Sequence, residues 1–155
     1  MSVGGSVSAR LAELGLTLPK VAAPLAAYVP AVRTGSLVYT SGQLPFVDGE
    51  LAATGKVGAQ VSPEEAKAAA RVCALNALAA VDALVGLDAV TRVIKVVGFV
   101  ASAPGFNGQP GVVNGASECF GELFGDLGAH ARAAVGVAGL PLDAPVEVEL
   151  IVEVG

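Results

Sequence analysis

The segment from Ser62 to Gly86 constrains this chain more than any other. It opens with Ser62-Pro63-Glu64-Glu65, which puts a capping serine before the helix, proline at its first position and glutamate at the third. Glu64 and Glu65 also sit where the positive end of the helix dipole favours acids. After Pro63, no proline or glycine interrupts until Gly86, so the pattern predicts a helix to about Val85 that stops at Gly86. Ala66, Ala69, Cys73, Asn76, Ala77, Ala80 and Leu84 recur on one stripe at helical spacing. Side chains this small predict close packing on a sheet.

The sheet itself is legible around that helix. Residues 91–101 (TRVIKVVGFVA) are rich in β-branched residues and read as a strand. Residues 111–126 read as a second helix, with Val113, Ser117, Phe120 and Phe124 on one face, after a turn at 103–110. Residues 132–138 and 146–153 read as strands. In the last, Val146, Val148, Leu150 and Val152 alternate with Glu147, Glu149, Ile151 and Glu153, the signature of a sheet with unlike faces. Earlier, two β-type runs at 27–33 and 36–41 flank Thr34-Gly35 as a hairpin. Residues 6–15 predict a short helix with Val7, Leu11 and Leu14 on one face. Residues 16–25, with Pro19 and Pro24, predict a linker, and 45–61 a loop with a short strand at most. Two long helices and about six strands give an α+β two-layer sandwich, with both helices on one face of a mixed sheet. The other face is left bare, which predicts self-association.

Composition agrees. The 155 residues suit one domain, and only 15% are charged against 54% hydrophobic, fewer charges than the roughly 25% of an ordinary soluble chain. Obligate interfaces are apolar, so a chain this poor in charge predicts extra surface hidden in an oligomer. Nine basic residues are scattered singly in a chain of net charge −5, which argues against nucleic-acid binding, whose affinity comes from Lys and Arg on phosphates. Every long apolar run is cut by Gly, Pro or a charge, so no membrane span is expected. The Gly/Ser-rich start lacks the features of a signal peptide. Cys73 and Cys119 lie in unrelated segments and predict free thiols in a cytoplasmic protein.

The chemistry-bearing residues are few. One histidine, His130, and no Cys or His cluster at ligand spacing argue against a metal site. No phosphate-cradling glycine motif occurs. Cys73 and Cys119 fall on apolar helix faces, where cysteine acts as a small hydrophobe. His130 reads as a general base or as a loop or interface histidine. Arg132 is the only basic residue after Lys95, and its apolar setting demands an anionic partner. Either Glu147 or Glu149 pairs with it, or it clamps a ligand carboxylate. Glu147 reads as a solvated strand residue or, in a cleft, as a group that holds water or passes a proton. Ser41 offers a hydroxyl, and Gly42 a close backbone approach.

Four segments fall in a familiar order: AAPLAAYVPAVRTGSLVYTSGQLP, ALNALAAVDALVGL, VVNGASECFGELFGD and ARAAVGVAGLPLDAPVEVEL. Together they resemble the RidA/YjgF family, also called the L-PSP or enamine/imine deaminase family. The resemblance spans roughly residues 20–153. It divides the chain into an added N-terminal segment, 1–19, and a RidA-like domain, 20–155. It implies a chorismate-mutase-like fold and a homotrimer with sheets facing inward and ligand clefts between subunits. It also implies a hydrolase of the 2-iminobutanoate/2-iminopropanoate deaminase type. Such an enzyme converts reactive 2-imino and enamine acids, such as 2-iminobutyrate or 2-aminoacrylate, to 2-keto acids and ammonia without metal or organic cofactor.

Carried over by motif, the resemblance implies catalytic roles for Arg132, which grips the substrate carboxylate, and Glu147, which holds water or shuttles protons. Tyr28, Ser41, Gly42, Asn114 and Ala134 are implied as substrate-binding, with Arg132 and Tyr28 from different chains. The chain departs from the family at His130, where Pro or Ala is usual, at Ala134, often Cys, and at Gly136 and Gly139. Two other functions stand beside deamination: a non-catalytic trimeric binding protein for small carboxylates or keto acids, and an endoribonuclease or translation inhibitor, which the acidic charge disfavours.

Overall fold

The computed structural model describes residues 6–21 and 27–155. Most of the Gly/Ser-rich start, the predicted linker around Pro24 and the first residues of AAPLAAYVP lie outside the described residues. The long helix, α2, spans Pro63–Val85. Its capping box is formed: Glu65 N–H donates to Ser62 Oγ at 3.1 Å, and Ser62 N–H donates to Glu65 Oε1 at 3.3 Å. The predicted stripe is buried except at its end. Leu84 is 45% exposed, because the whole turn Asp82–Leu84 has run clear of the packed layer. An 18-residue window of α2 has mean hydropathy 1.6. By length and composition alone the helix could cross a membrane, and 56% of that window is buried inside the fold, as in a core helix.

A second helix, α3, spans Gln109–Phe124 and starts two residues before its predicted position, because Pro110 fits the first helical turn. α3 packs directly on α2. At the contact, a Cβ on Gly115 would overlap the carbonyl of Lys67, so only glycine lets the two backbones approach this closely.

The helices cover one face of a five-stranded sheet. Its strands are β1 (Ala31–Thr34), β2 (Leu37–Thr40), β5 (Val90–Ala101), β6 (Ala131–Val137) and β7 (Val146–Val154), in the order β1-β2-β7-β5-β6. Only β5 and β6 are parallel, as a crossover through α3 requires. The first strand starts at Ala31 rather than 27, because Pro30 has no N–H for a ladder. The hairpin turn is Gly35-Ser36, one residue later than expected. The strand expected within 45–61 forms its own hairpin, β3 (Phe46–Val47) with β4 (Glu50–Leu51). Asp48 and Gly49 both take positive φ there, as a two-residue turn demands.

In β7, Val146, Val148, Leu150, Val152 and Val154 are buried against the helices while Glu147, Glu149, Ile151 and Glu153 face away. Register carries that outer face across the sheet as Val32–Tyr39–Ile151 and as Glu147–Phe99–Val135. No described element covers it, and Val32, Tyr39 and Val135 are 54%, 43% and 44% exposed.

The short helix α1 (Val7–Glu13) buries Leu11. Ser8 donates twice to Asp88, from N–H at 2.8 Å and Oγ at 2.6 Å, which holds that carboxyl below its ordinary range. Arg10 Nε donates to the Glu122 carbonyl at 3.0 Å. Both cysteines are buried and free. Desolvation pushes Cys73 well above the ordinary thiol value and Cys119 to about 11, so both act as core residues.

Candidate functional site

Glu147 lies one residue into β7, where the ladder passes from β2 into the loop that follows it. Gln43 bridges to Val148, and this lays Gly42 against Glu147. A Cβ at Gly42 would overlap the Glu147 carboxylate, so glycine makes the space that the acid occupies. Beside them opens a cavity of about 640 Å³. Tyr28, Gly42 and Glu147 line it together with Lys20, Asn76 and Leu142. Among the described residues nothing hydrogen bonds or ion-pairs to the Glu147 carboxylate. Partial burial, with Glu149 on the same face, raises its pKa above the usual value; desolvation is the larger cause.

Asn76 shapes the wall. It is the buried polar residue of the alanine stripe, and its Nδ2 donates to the carbonyls of Leu44 at 3.0 Å and Phe46 at 3.1 Å. Ser41 is turned elsewhere. Its hydroxyl donates to the Val29 carbonyl at 2.6 Å and its N–H to that of Pro30 at 2.8 Å. Ser41 therefore pins the strand entry beside Tyr28, and its proton is already committed.

Arg132 stands on β6, on the opposite face, toward α3. Its Nη1 donates to Asn114 Oδ1 at 2.7 Å and to Ser117 Oγ at 3.3 Å. Of the two readings open to Arg132, the internal pairing with Glu147 or Glu149 does not occur, since β5 lies between β6 and β7. Among the described residues Arg132 has no carboxylate partner, and the edge formed by Nε and Nη2 carries no hydrogen bond. The guanidinium is exposed, held by neutral partners, and offers two parallel N–H groups, the fork that matches a carboxylate. Ala134 follows on the same side of β6 and is half-buried.

His130 joins this second group. Its Nδ1 is 2.6 Å from the Gly128 carbonyl and its Nε2 is 2.8 Å from Ser117 Oγ. A carbonyl only accepts, so Nδ1 carries the proton and Nε2 accepts from the serine. Gly136 faces Gln109 and Ser102, and Gly139 faces Lys56; neither touches the Arg132 group.

The sequence-derived residues thus form two clusters. Tyr28, Gly42 and Glu147 share a cavity, and Asn114, Arg132 and Ala134 share the rim of α3 and β6. Arg132 pairs with Val96, which pairs with Leu150, three residues past Glu147. That register separates the two charges by two strands and about 10 Å along the chain direction, on opposite faces. Sequence reading missed Lys20, which no local pattern marks. It also missed Leu142, whose positive φ of 59° in the GLPLDAP connection has no residue-type signal. For Asn76 a signal was present: it is the one amide on an alanine stripe.

A family model described as "YjgF/chorismate mutase-like, putative endoribonuclease" matches residues 8–154. Protein TCP17 of Trypanosoma cruzi is 47% identical over 151 residues, covering 96% of this chain and 94% of that protein. The crystal structure of Atu1372 from Agrobacterium tumefaciens superposes with TM-score 0.89 at 48% identity, over 96% of this chain and 92% of its own. More distantly, E. coli TdcF with bound serine gives TM-score 0.65 at 27% identity, over 88% and 94% of the two chains.

Proposed function

This chain belongs to the YjgF/chorismate mutase-like family, and we propose that it hydrolyses reactive 2-imino and enamine acids to 2-keto acids and ammonia. One observation carries the reading: among the described residues Arg132 is held only by Asn114 and Ser117, with its Nε–Nη2 edge open to a carboxylate. A resting ion pair would have closed that edge. The serine bound to TdcF is an amino acid of similar size to the substrates proposed here.

The cleft is completed by a second copy, in a homotrimer built through the bare sheet face. Arg132 of one chain orients the substrate by its carboxylate. Tyr28, Gly42 and Glu147 of the neighbour meet the imine. An iminium carbon is already electrophilic, so orientation and one activated water suffice. Glu147 takes a water proton as the oxygen bonds to C2, then returns it to the nitrogen. The C2–N bond breaks with its electrons on nitrogen, the hydroxyl proton leaves, and C2=O forms. In sum, iminium and water give a 2-keto acid and ammonium. An enamine first takes a proton at C3 to become the iminium.

The test generates 2-iminobutyrate in situ with threonine dehydratase and traps it with semicarbazide. Wild type lowers the yield of trapped adduct and Arg132→Ala does not. Equal trapping with both would overturn the reading. Ala134, where the family often has cysteine, favours one alternative, a binding protein that holds keto acids without turnover. It predicts thermal stabilisation by 2-oxobutyrate with no effect on trapping. The endoribonuclease named in the family description fits poorly with a net charge of −5; RNA cleavage lost in Arg132→Ala would support it.

A further inference from the structure

We propose that His130, acting through Ser117, is a positioning residue that fixes the plane of the Arg132 guanidinium and so presents its open edge to a ligand carboxylate. This rests on the deaminase reading for its substrate but not for its geometry. A guanidinium at the protein surface has many rotamers, and holding one of them costs side-chain entropy. A single hydrogen bond from Nη1 to Asn114 leaves rotation about that contact. A second acceptor for the other Nη1 proton removes it. Ser117 Oγ is that acceptor, at 3.3 Å.

A serine hydroxyl rotates freely unless its own proton is claimed. His130 Nε2 claims it at 2.8 Å, which turns the oxygen lone pairs toward Arg132. The ring is itself locked. Nδ1 donates to the Gly128 carbonyl at 2.6 Å, and Phe120 stands perpendicular to it, with centroids 6.0 Å apart. Phe120 is wholly buried, so the anchor reaches into the core. Donation therefore runs one way, from Arg132 to Ser117 to His130 to the Gly128 carbonyl. Each member satisfies the next, and the pattern has no slack at the end that touches the ligand.

A proline or alanine at position 130 has no group to accept from Ser117. The histidine is thus paired with the serine one α3 turn beyond Asn114, and the two act as one device.

The experiment compares wild type with His130→Ala, Ser117→Ala, the double variant, and the conservative His130→Gln and Ser117→Thr. In the imine assay His130→Ala and Ser117→Ala raise KM about tenfold and leave kcat within about twofold. The double variant is no worse than either single one, because both cut the same chain. His130→Gln and Ser117→Thr, which keep an acceptor and a hydroxyl, recover most of the loss. A KM within twofold of wild type in His130→Ala, or fully multiplicative effects in the double variant, would overturn the proposal. An independent readout needs no substrate: the heteronuclear NOE of the Arg132 Nε–H group falls in His130→Ala and Ser117→Ala and stays high in the conservative variants. If wild type fails to turn over imines while this NOE pattern holds, the deaminase reading fails and the positioning role stands. An unchanged NOE removes the positioning role whatever the activity.

Discussion

The two charged halves of the candidate site are built on opposite principles. Around Arg132 the side chains of Asn114, Ser117 and His130 are hydrogen bonded, and the cation is steadied by neutral partners at 2.7 and 3.3 Å, while among the described residues its Nε–Nη2 edge is open. Around Glu147 the reverse holds. The carboxylate has space made for it by Gly42 and a cavity beside it, but no hydrogen bond from any described residue. One half is a held cation with an open edge, and the other is a partly desolvated acid. Each lacks what the other supplies, and the sheet keeps them apart. Complementary deficits on opposite faces of one chain fit the proposed cleft, in which two chains each contribute one half.

Substitutions sharpen this contrast by striking one half at a time. The largest effect is expected at the clamp. Arg132→Ala lowers kcat/KM by at least about 1,000-fold while gel filtration shows an unchanged assembly, because loss of orientation touches every later step. Arg132→Lys recovers only part, since a point charge cannot replace the planar fork. Loss of assembly in Arg132→Ala would mean that the residue is structural.

Next comes the acid. Glu147→Gln lowers kcat by about 100-fold, within the range for general acid–base groups. Its raised pKa fixes the sign of the pH dependence. The base works only when ionised, so wild-type activity falls on the acid side at a pH above the ordinary glutamate value, and Glu147→Gln loses that limb. Stability behaves oppositely. The folded chain keeps a proton that the unfolded chain has released, so ionisation of Glu147 costs stability as pH rises through the window between the two values. Thermal denaturation at pH 7 therefore finds Glu147→Gln at least as stable as wild type. A marked loss of Tm would show that the carboxylate holds the fold together.

Smaller effects separate geometry from chemistry. Gly42→Ala displaces the Glu147 carboxylate and costs about tenfold in kcat, with KM for the carboxylate end little changed because the clamp is untouched. Ala134→Cys restores a thiol beside the clamp and shifts kcat/KM by less than about threefold. A large gain there would mean that the second half of the chemistry also sits on β6.

Legibility in the sequence divided along physical lines. α2 was readable to the residue because Ser62, Pro63, Glu65 and Gly86 are all local signals. β7 was readable because alternation has only two phases. β1 starts later than β propensity suggests because Pro30 overrides it, and Asp48-Gly49 makes a hairpin of a segment that hydrophobic pattern alone reads as loop with a short strand at most. Family resemblance brought the site residues to notice, yet residue type alone leaves Arg132 between an internal carboxylate and a ligand's, and topology removes the first, since chain order says nothing of β5 standing between β6 and β7. The Ser117–His130 contact links positions 13 apart on different elements, and no periodicity announces it. Nor does any pattern announce Lys20 or Leu142 at the cavity, which depend on how distant segments converge.

The most direct measurement mixes two inactive proteins. Arg132→Ala and Glu147→Gln are each purified, then dissociated and reassembled together. If every cleft takes Arg132 from one chain and Glu147 from its neighbour, random assembly restores intact clefts in about a quarter of positions and a matching share of wild-type imine hydrolysis. If both groups serve the same cleft from one chain, no intact cleft forms, and the mixture remains as inactive as its parts.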